Sequence, residues 1–279
     1  MATATTLTSA NAWSPDVSTF NPGDAVPEAL VLLTSTIAGE VEGDAPAVRV
    51  AYVADAEAGF VAEGADITPS DPDLNEVLVH TGKISQLVKL SREQWTQPNS
   101  AGLLSTSVAR AVTKAANIAY LSQVAPTSPA VTPPAGLLNV TGIETGTAVA
   151  GDLDSLVDLI AAIEANGATP SHIVVDPIGW ASLSKLKTGT GLNSALLGAG
   201  TEAVERRLLG LPVIVSAAMT ASTGLVIDNT AVLSAVGQVS VATSEHFYFG
   251  GDNIALRATW RFGANVIHPN RIGKFAITA

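Results

Sequence analysis

Residues 99–124, NSAGLLSTSVARAVTKAANIAYLSQV, constrain this chain more than any other stretch. Leu104, Val108, Ala111, Val112, Ala115 and Ala119 recur at helical spacing and lay a continuous apolar stripe along one side. Asn99 or Ser100 can accept the orphan N–H groups of the first turn. Frequent alanine supports a helix without tertiary help. Pro126, Pro129, Pro133 and Pro134 forbid its continuation. At roughly 1.5 Å per residue the stretch predicts a rod of roughly 37 Å. Ser105, Arg110, Lys114 and Asn117 leave the other side polar. So narrow and alanine-rich a stripe has to lie close against a flat partner, and a β-sheet is the natural one. The stretch is too polar to cross a membrane.

A sheet to receive it is present at the end of the chain. In IALRATWRFGANVIHP, Ile254, Leu256, Ala258, Trp260 and Phe262 alternate with Arg257, Thr259 and Arg261. Gln238–Thr243 and Phe247–Phe249 carry the same β pattern. From Asn253 to Ala279 there is no acid, while Arg257, Arg261, Arg271 and Lys274 are present. Earlier in the chain, VRVAYVA (48–54) and LNEVLVHTGKISQLVKL (74–90) read as strands, the second about 17 residues long. Between them Gly, Pro and Asp mark a projecting loop, with Glu57, Glu63, Asp66, Asp71, Asp73 and Glu76 and no Lys or Arg from 57 to 76. The spacing of these acids does not match an EF-hand loop. A hairpin arm reaching another subunit is the preferred reading, and a solvated loop is the alternative.

Residues 1–24 read as an extended arm with Trp13 and Phe20 as its large anchors, which would make sense lying on a neighbouring copy; a frayed terminus is the alternative. Pro27 suits the first turn of a short helix whose buried side is Leu30, Leu33 and Ile37, ended by Gly39 and Gly43. Strands at 171–176, 211–216 and 225–228 alternate with helices at 152–166 and from Pro177 through Lys187. That alternation predicts an α/β domain over about 137–235. Asp152 or Asp154 caps the first of these helices and Gly167 stops it.

No constellation carries chemistry. Ser182-Leu-Ser-Lys185 and Lys187-Thr-Gly189 match two motifs of penicillin-recognising enzymes, but they are nearly adjacent where that mechanism needs separate elements. The glycines at 189, 191, 198 and 200 lack a following G-K-[ST]. His80, His172, His246 and His268 are scattered. Asp176 and Asp228 end strands of the α/β domain and read as caps, with a monomeric α/β enzyme using both as the alternative. Without cysteine there is no disulfide framework or thiolate metal site. A net charge of −11 argues against a protein that grips phosphates, and 47% hydrophobic with 14% charged residues points to a surface largely covered by other subunits, with a monomer holding a large apolar core as the alternative. No metal, cofactor or catalytic residue is expected.

The order of these parts resembles the HK97-fold major capsid proteins of tailed double-stranded DNA bacteriophages, those of actinobacterial phages most closely. The likeness covers roughly residues 12–279 and rests on AWSPDVSTFNP with VPEAL, PAVRVAYV, FVAEGADI, HTGKISQLVKLSREQW, the long helix, HIVVDPIGWASL, LLGLPVIVS and DNIALRATWRFGANVIHPNRIGKF. It implies an α+β fold with an N-arm (1–40), an E-loop hairpin with flanking strands (41–98), a spine helix on a peripheral β-sheet (99–136), an α/β axial domain (137–235) and closing peripheral strands (236–279). It implies self-assembly into hexamers and pentamers of an icosahedral virion shell, built in the bacterial cytoplasm around double-stranded DNA that is not read by sequence. Expected partners are further copies of the chain, a separate scaffolding protein, a portal and possible decoration proteins. Without a lysine in the E-loop, no isopeptide cross-link is expected there. An encapsulin-like nanocompartment shares the fold and is the other shell reading. The acidic hairpin is expected to meet a neighbour's Arg110, Lys114, Arg257, Arg261, Arg271 or Lys274.

Overall fold

The computed structural model describes residues 17–53, 60, 74–97, 100–189, 192–197 and 206–278. The elements run β1 (Val17–Phe20), α1 (Pro22–Ala25), α2 (Leu30–Thr34), β2 (Thr36–Glu40), β3 (Ala47–Val53), β4 (Leu74–His80), β5 (Gly82–Ser91), α3 (Arg92–Trp95) and α4 (Ser100–Ser122). After a proline-rich connection come β6 (Glu144–Thr145), α5 (Asp154–Ala165), β7 (His172–Val175), α6 (Pro177–Ser184), β8 (Arg207–Leu208), β9 (Leu211–Val215) and β10 (Thr223–Ile227). The chain closes with β11 (Val232–Val236), β12 (Val239–Tyr248), β13 (Asn253–Val266) and β14 (Gly273–Ala276). The fold is α+β, and the described residues form two six-stranded sheets and one two-stranded ribbon.

The first sheet is organised around β13. One edge of β13 takes all of β5, from Asn253 opposite Ser91 to Phe262 opposite Gly82. Its other edge takes β11 and then β12, with Val236 opposite Phe262 and Ser240 opposite Thr259. Four residues on that side therefore face three on β13, so β11 and β12 form one strand kinked by a bulge at Gly237. The bulge is pinned by the Gly237 N–H to Arg261 O (2.9 Å) and by Trp260 Nε1–H to Gly237 O (2.9 Å). β1 extends the sheet beyond β12, and β2 lies parallel to β11.

Helix α4 lies across the apolar face of this sheet. Twenty-three residues give a rod of roughly 35 Å. Its seam is Val108, Val112, Ala116 and Tyr120, at steps of four, packed with Leu256, Ala258, Trp260 and Phe262. Ala111, Ala115 and Ala119 flank that seam, so the true stripe sits slightly to one side of the expected one. Of the two expected N-cap residues, Ser100 is the first residue of the helix and Asn99 lies outside the described residues. Trp260 is fully buried. Thr34 Oγ1 lies 3.0 Å from Tyr120 Oη, Leu30 N–H donates to Asn117 Oδ1 (2.8 Å), and Ser35 Oγ hydrogen-bonds Ser234 Oγ (2.8 Å). These bonds tie α2 to both the helix and the sheet, and burial pushes the Tyr120 phenol pKa upward.

The second sheet runs β6-β14-β10-β7-β9-β8. Its core contains Leu156, Leu159, Ile163, Ile173, Val175, Leu183, Val226 and Phe275. Gly167 closes α5 with φ +79 and an N–H to Glu164 O (2.8 Å). Asp152 Oδ1 accepts the Asp154 N–H at 3.3 Å.

Several expectations are corrected. The helix foreseen after Pro27 covers only Leu30–Thr34. Leu33 and Ile37 are about half exposed: Leu33 is on the side of α2 away from the buried Leu30, Val31 and Thr34, and Ile37 has left the helix for β2, which pairs with β11. Residues 17–40 are not a free arm, since β1 pairs with the chain's own β12 and Val26, Ala29, Leu30 and Val31 enter the main core. Phe20 sits on β1 of its own sheet with its side chain half exposed; Trp13 lies outside the described residues. The 17-residue strand breaks at Thr81, where β4 turns off the sheet. Helix α6 ends at Ser184 rather than Lys187, with Lys185 as C-cap. Finally, the boundary at 235/236 does not separate the two sheets. β11 belongs to the first, and β14, expected there, completes the second between β6 and β10.

Candidate assembly surfaces

The β3–β4 ribbon leaves the body at one tightly built joint. β3 and β4 pair antiparallel from Ala47–His80 to Val53–Leu74. Only their base is buried, where Val50 and Val79 meet Val41, Leu233 and Ala235. At the break Thr81 is almost wholly buried; its N–H donates to Pro46 O (2.9 Å) and its Oγ1 to Ala45 O (2.7 Å). Gly263 allows the close approach, since a Cβ there would stand 2.0 Å from His80 O. Arg261 spans the joint, with Nη1 3.0 Å from Thr81 Oγ1 and Nε 3.4 Å from Asp44 Oδ1. Lys83 Nζ meets Asp44 Oδ2 at 2.9 Å. The hydrogen bond and charge of Lys83, with the charge of Arg261 added, hold the Asp44 carboxyl below its ordinary pKa.

The acids expected along the ribbon are placed in part. Glu57, Glu63, Asp66, Asp71 and Asp73 lie outside the described residues. Glu76 is on β4, exposed, with its carboxylate 3.4 Å from Arg49 of the paired strand. Phe60, beyond the described ribbon, is fully exposed.

The six expected basic residues do not form one patch. Arg110 and Lys114 are exposed on α4, at positions off its buried seam. Arg257 is exposed on the face of the first sheet opposite the helix. Arg261 shares that face but is mostly covered and engaged at the joint. Arg271 and Lys274 are half buried beside and within the second sheet. Two basic residues complete the outer face and were not foreseen. Lys83 pairs across from Arg261, and Lys89 lies two residues beyond Leu87, which faces Arg257. Their signal was present in GKISQLVKLS, whose exposed positions alternate from Lys83 to Lys89.

The far end of the first sheet is a clasped hairpin tip. Arg92 Nε meets Asp252 Oδ1 at 2.8 Å and its Nη1 meets Glu245 Oε2 at 3.5 Å, which raises the guanidinium pKa. Phe247 and Tyr248 pack edge to face at 4.7 Å, and Lys89 Nζ lies 5.0 Å from the centre of the Tyr248 ring.

The residues weighed for chemistry are spent on structure. Asp176 accepts the N–H groups of Ile178 and Gly179 (both 3.1 Å) and caps α6. Asp228 accepts from Thr230 N (2.9 Å), Thr230 Oγ1 (2.7 Å) and Thr169 N (3.0 Å). Lys187 Nζ reaches Asn193 O (3.3 Å), and His172 Nδ1 lies 3.2 Å from Ser171 Oγ. Among the described residues, no group of three or more His, Asp or Glu is placed to hold a metal ion. Nor is any described helix long and apolar enough to cross a membrane.

A sheet spanned by one long helix, a ribbon thrown clear of it and a second α/β body define a capsid-type subunit. The model of the phage capsid family matches residues 35–277, and the chain belongs to that family. It is a structural protein of the virion that builds a capsid shell from copies of itself. No curated protein matches its sequence. Among solved structures, one of Microbacterium phage Oxtober96 is 14% identical, with a TM-score of 0.68 over 100% of this chain and 96% of that one. A structure of Gordonia phage Cozz is 18% identical, with a TM-score of 0.66 over 90% and 87%. The capsid of a native GTA particle is 17% identical, with a TM-score of 0.66 over 100% and 96%. At these identities the likeness defines the fold, which is the HK97-like capsid fold.

Proposed function

We propose that the chain is the non-enzymatic major capsid protein that forms hexamers and pentamers of an icosahedral head around phage double-stranded DNA. The family match over 35–277 carries this reading. In it the β3–β4 ribbon is the E-loop, α4 the spine helix of a peripheral domain, and the second sheet the core of the axial domain. Rings of this kind need heterologous contacts that close. A ribbon buried only at its base supplies one half of such a contact. A net charge of −11 suits a container whose wall does not grip DNA, and the DNA is held without sequence-specific contacts. Assembly in the host cytoplasm, a separate scaffolding protein, a portal and decoration proteins belong to the same proposal.

The acids at Glu57, Glu63, Asp66, Asp71, Asp73 and Glu76 are assigned to a neighbour's cations. Arg257 and Lys89 on the outer sheet face, and Arg110 and Lys114 on the helix, are exposed for this role. Arg261 is already engaged within its own chain, and Arg271 and Lys274 are half buried. Each exposed pair contributes about 0–1 kcal/mol, but a shell repeats it many times. Shells carrying Asp66→Lys with Asp71→Lys are expected to assemble poorly and to lose the salt sensitivity of wild type. Light scattering against sodium chloride concentration reads this. Unchanged assembly with an unchanged salt profile removes the acidic hairpin from the contact.

A further inference from the structure

A hollow of about 560 Å³ opens behind the ribbon joint, between the C-terminal half of α4, the proline-rich connection and strands β5 and β13. Sites for small molecules fall in this size range. The walls are held by contacts that depend on no occupant. Gly136 N–H and Asn139 Nδ2 both donate to Gln123 O (2.9 and 2.8 Å) and clip the connection to the end of the helix. Pro133 and Pro134 pass the start of β5, 4.0 and 3.7 Å from where a Cβ on Gly82 would stand. The helix side offers only Ala115 and Ala119, whose side chains are too short to fill the space, and proline rings cannot rotate into it. The hollow therefore stays open, and the atoms around it forgo dispersion contacts that a ligand of matching shape restores.

The lining sets the chemistry of that ligand. Phe262 and the proline rings give flat apolar faces. Asn139 and Asn265 also line the hollow but spend amide N–H groups on the carbonyls of Ser122, Gln123 and Leu78. His80 adds an imidazole able to donate a hydrogen bond, and Lys83 an ammonium. No Asp or Glu is among the described residues of the lining, although acids outnumber bases 25 to 14 in the chain. Asp44, outside the hollow, meets both Lys83 and Arg261, so one carboxylate faces two cations and a positive charge is left over at the joint. A protein partner is a poor fit, since stable interfaces bury about 800 Å² on each side and this is a recess rather than a face.

We infer that the hollow is a binding site for a small planar aromatic anion, its rings against Phe262 and the prolines and its charge towards His80 and Lys83. His80, Gly82 and Lys83 flank Thr81, so an occupant also braces the joint from which the ribbon leaves. The inference stands apart from the shell reading: it adds a small-molecule site to the subunit, and it holds or fails on the unassembled chain.

Naphthalene-2-sulfonate is the probe, with naphthalene-2-methanol and (2-naphthylmethyl)ammonium as its neutral and cationic counterparts. Isothermal titration of the full-length wild-type chain is expected to show a single saturable site for the sulfonate. With about fourteen non-hydrogen atoms, the sulfonate should bind with a Kd of roughly 0.1 mM. The alcohol is expected to bind about three- to fivefold more weakly, the worth of one exposed charge pair, and the ammonium more weakly still. No saturable site, or equal binding of all three, overturns the inference. Ala119→Trp fills the hollow and is expected to abolish sulfonate binding while keeping the wild-type circular dichroism spectrum. Binding that persists in that folded variant overturns the inference. Hydrogen exchange of the wild-type chain decides the matter even where the variant fails to fold. Saturating sulfonate is expected to slow exchange in the peptides that carry Thr81 and the end of α4, and slowing confined to other peptides places the ligand elsewhere and overturns the inference.

Discussion

Gly263→Ala is the perturbation that most directly probes how the ribbon is aimed. A Cβ at 263 would stand 2.0 Å from His80 O, 2.9 Å from His80 C and 3.1 Å from Thr81 Cα, all backbone atoms. Ordinary contact begins at 3.4 Å, so β13 and the β4–β5 break must part by more than an ångström. The parts that would have to give are bonded, through Asn265 Nδ2 to Leu78 O (3.0 Å) and Arg261 Nη1 to Thr81 Oγ1 (3.0 Å). Overpacking of this kind costs about 1–3 kcal/mol, or roughly 2–10 °C of melting temperature for a chain of this size. Because the joint sits at the root of a projecting ribbon, a small shift there moves the distal end further than the base. Assembly is therefore expected to suffer more than stability. Circular dichroism melting of the unassembled chain and particle yield by sedimentation read the two effects separately. Gly250→Ala is the control, since its Cβ meets nothing within 4 Å. A Gly263→Ala chain that melts and assembles like that control refutes the account of the joint.

Trp260→Ala empties the centre of the main core and breaks the bond to Gly237; it is expected to lose about 3–5 kcal/mol in urea unfolding, against under about 0.5 kcal/mol for the exposed Val157→Ala. Asp176→Ala removes both N-cap hydrogen bonds of α6 and is expected to cost about 1 kcal/mol, seen as a shift in urea midpoint without a change of slope. The Asp44 carboxyl has its folded pKa depressed by Lys83 and Arg261, so its contribution is present above the ordinary carboxylate value and is lost as pH falls through the folded value. Melting of wild type is accordingly expected to fall more steeply below about pH 4 than melting of Asp44→Asn, and parallel curves contradict the assignment.

What was legible in the sequence follows from the reach of each signal. The alternation from Ile254 to Phe262 gave the helix-facing side of β13 correctly, because a period of two with one apolar face is set by local pattern alone. The caps at Asp176 and Asp228 were legible for the same reason: cap and turn chemistry is confined to a few residues. The helix at Leu30 ran short because Leu33 and Ile37 were read at helical spacing, whereas a parallel pairing with β11, some two hundred residues away, claims Thr36–Glu40. The break at Thr81 was hidden because its cause is a glycine on another strand, Gly263. β14 was assigned to the wrong sheet because a four-residue strand carries no record of its partner. The segment 253–279 carries basic residues and no acid by composition, but composition does not say that the chain folds Arg257 and Lys274 onto different sheets.

The central claim is that this chain builds a closed shell from itself. Electron microscopy of the purified full-length protein, expressed alone and together with accessory phage assembly proteins, tests it most directly. The account predicts closed shells or capsomer rings. A uniform field of 28.3 kDa monomers in every preparation would contradict it.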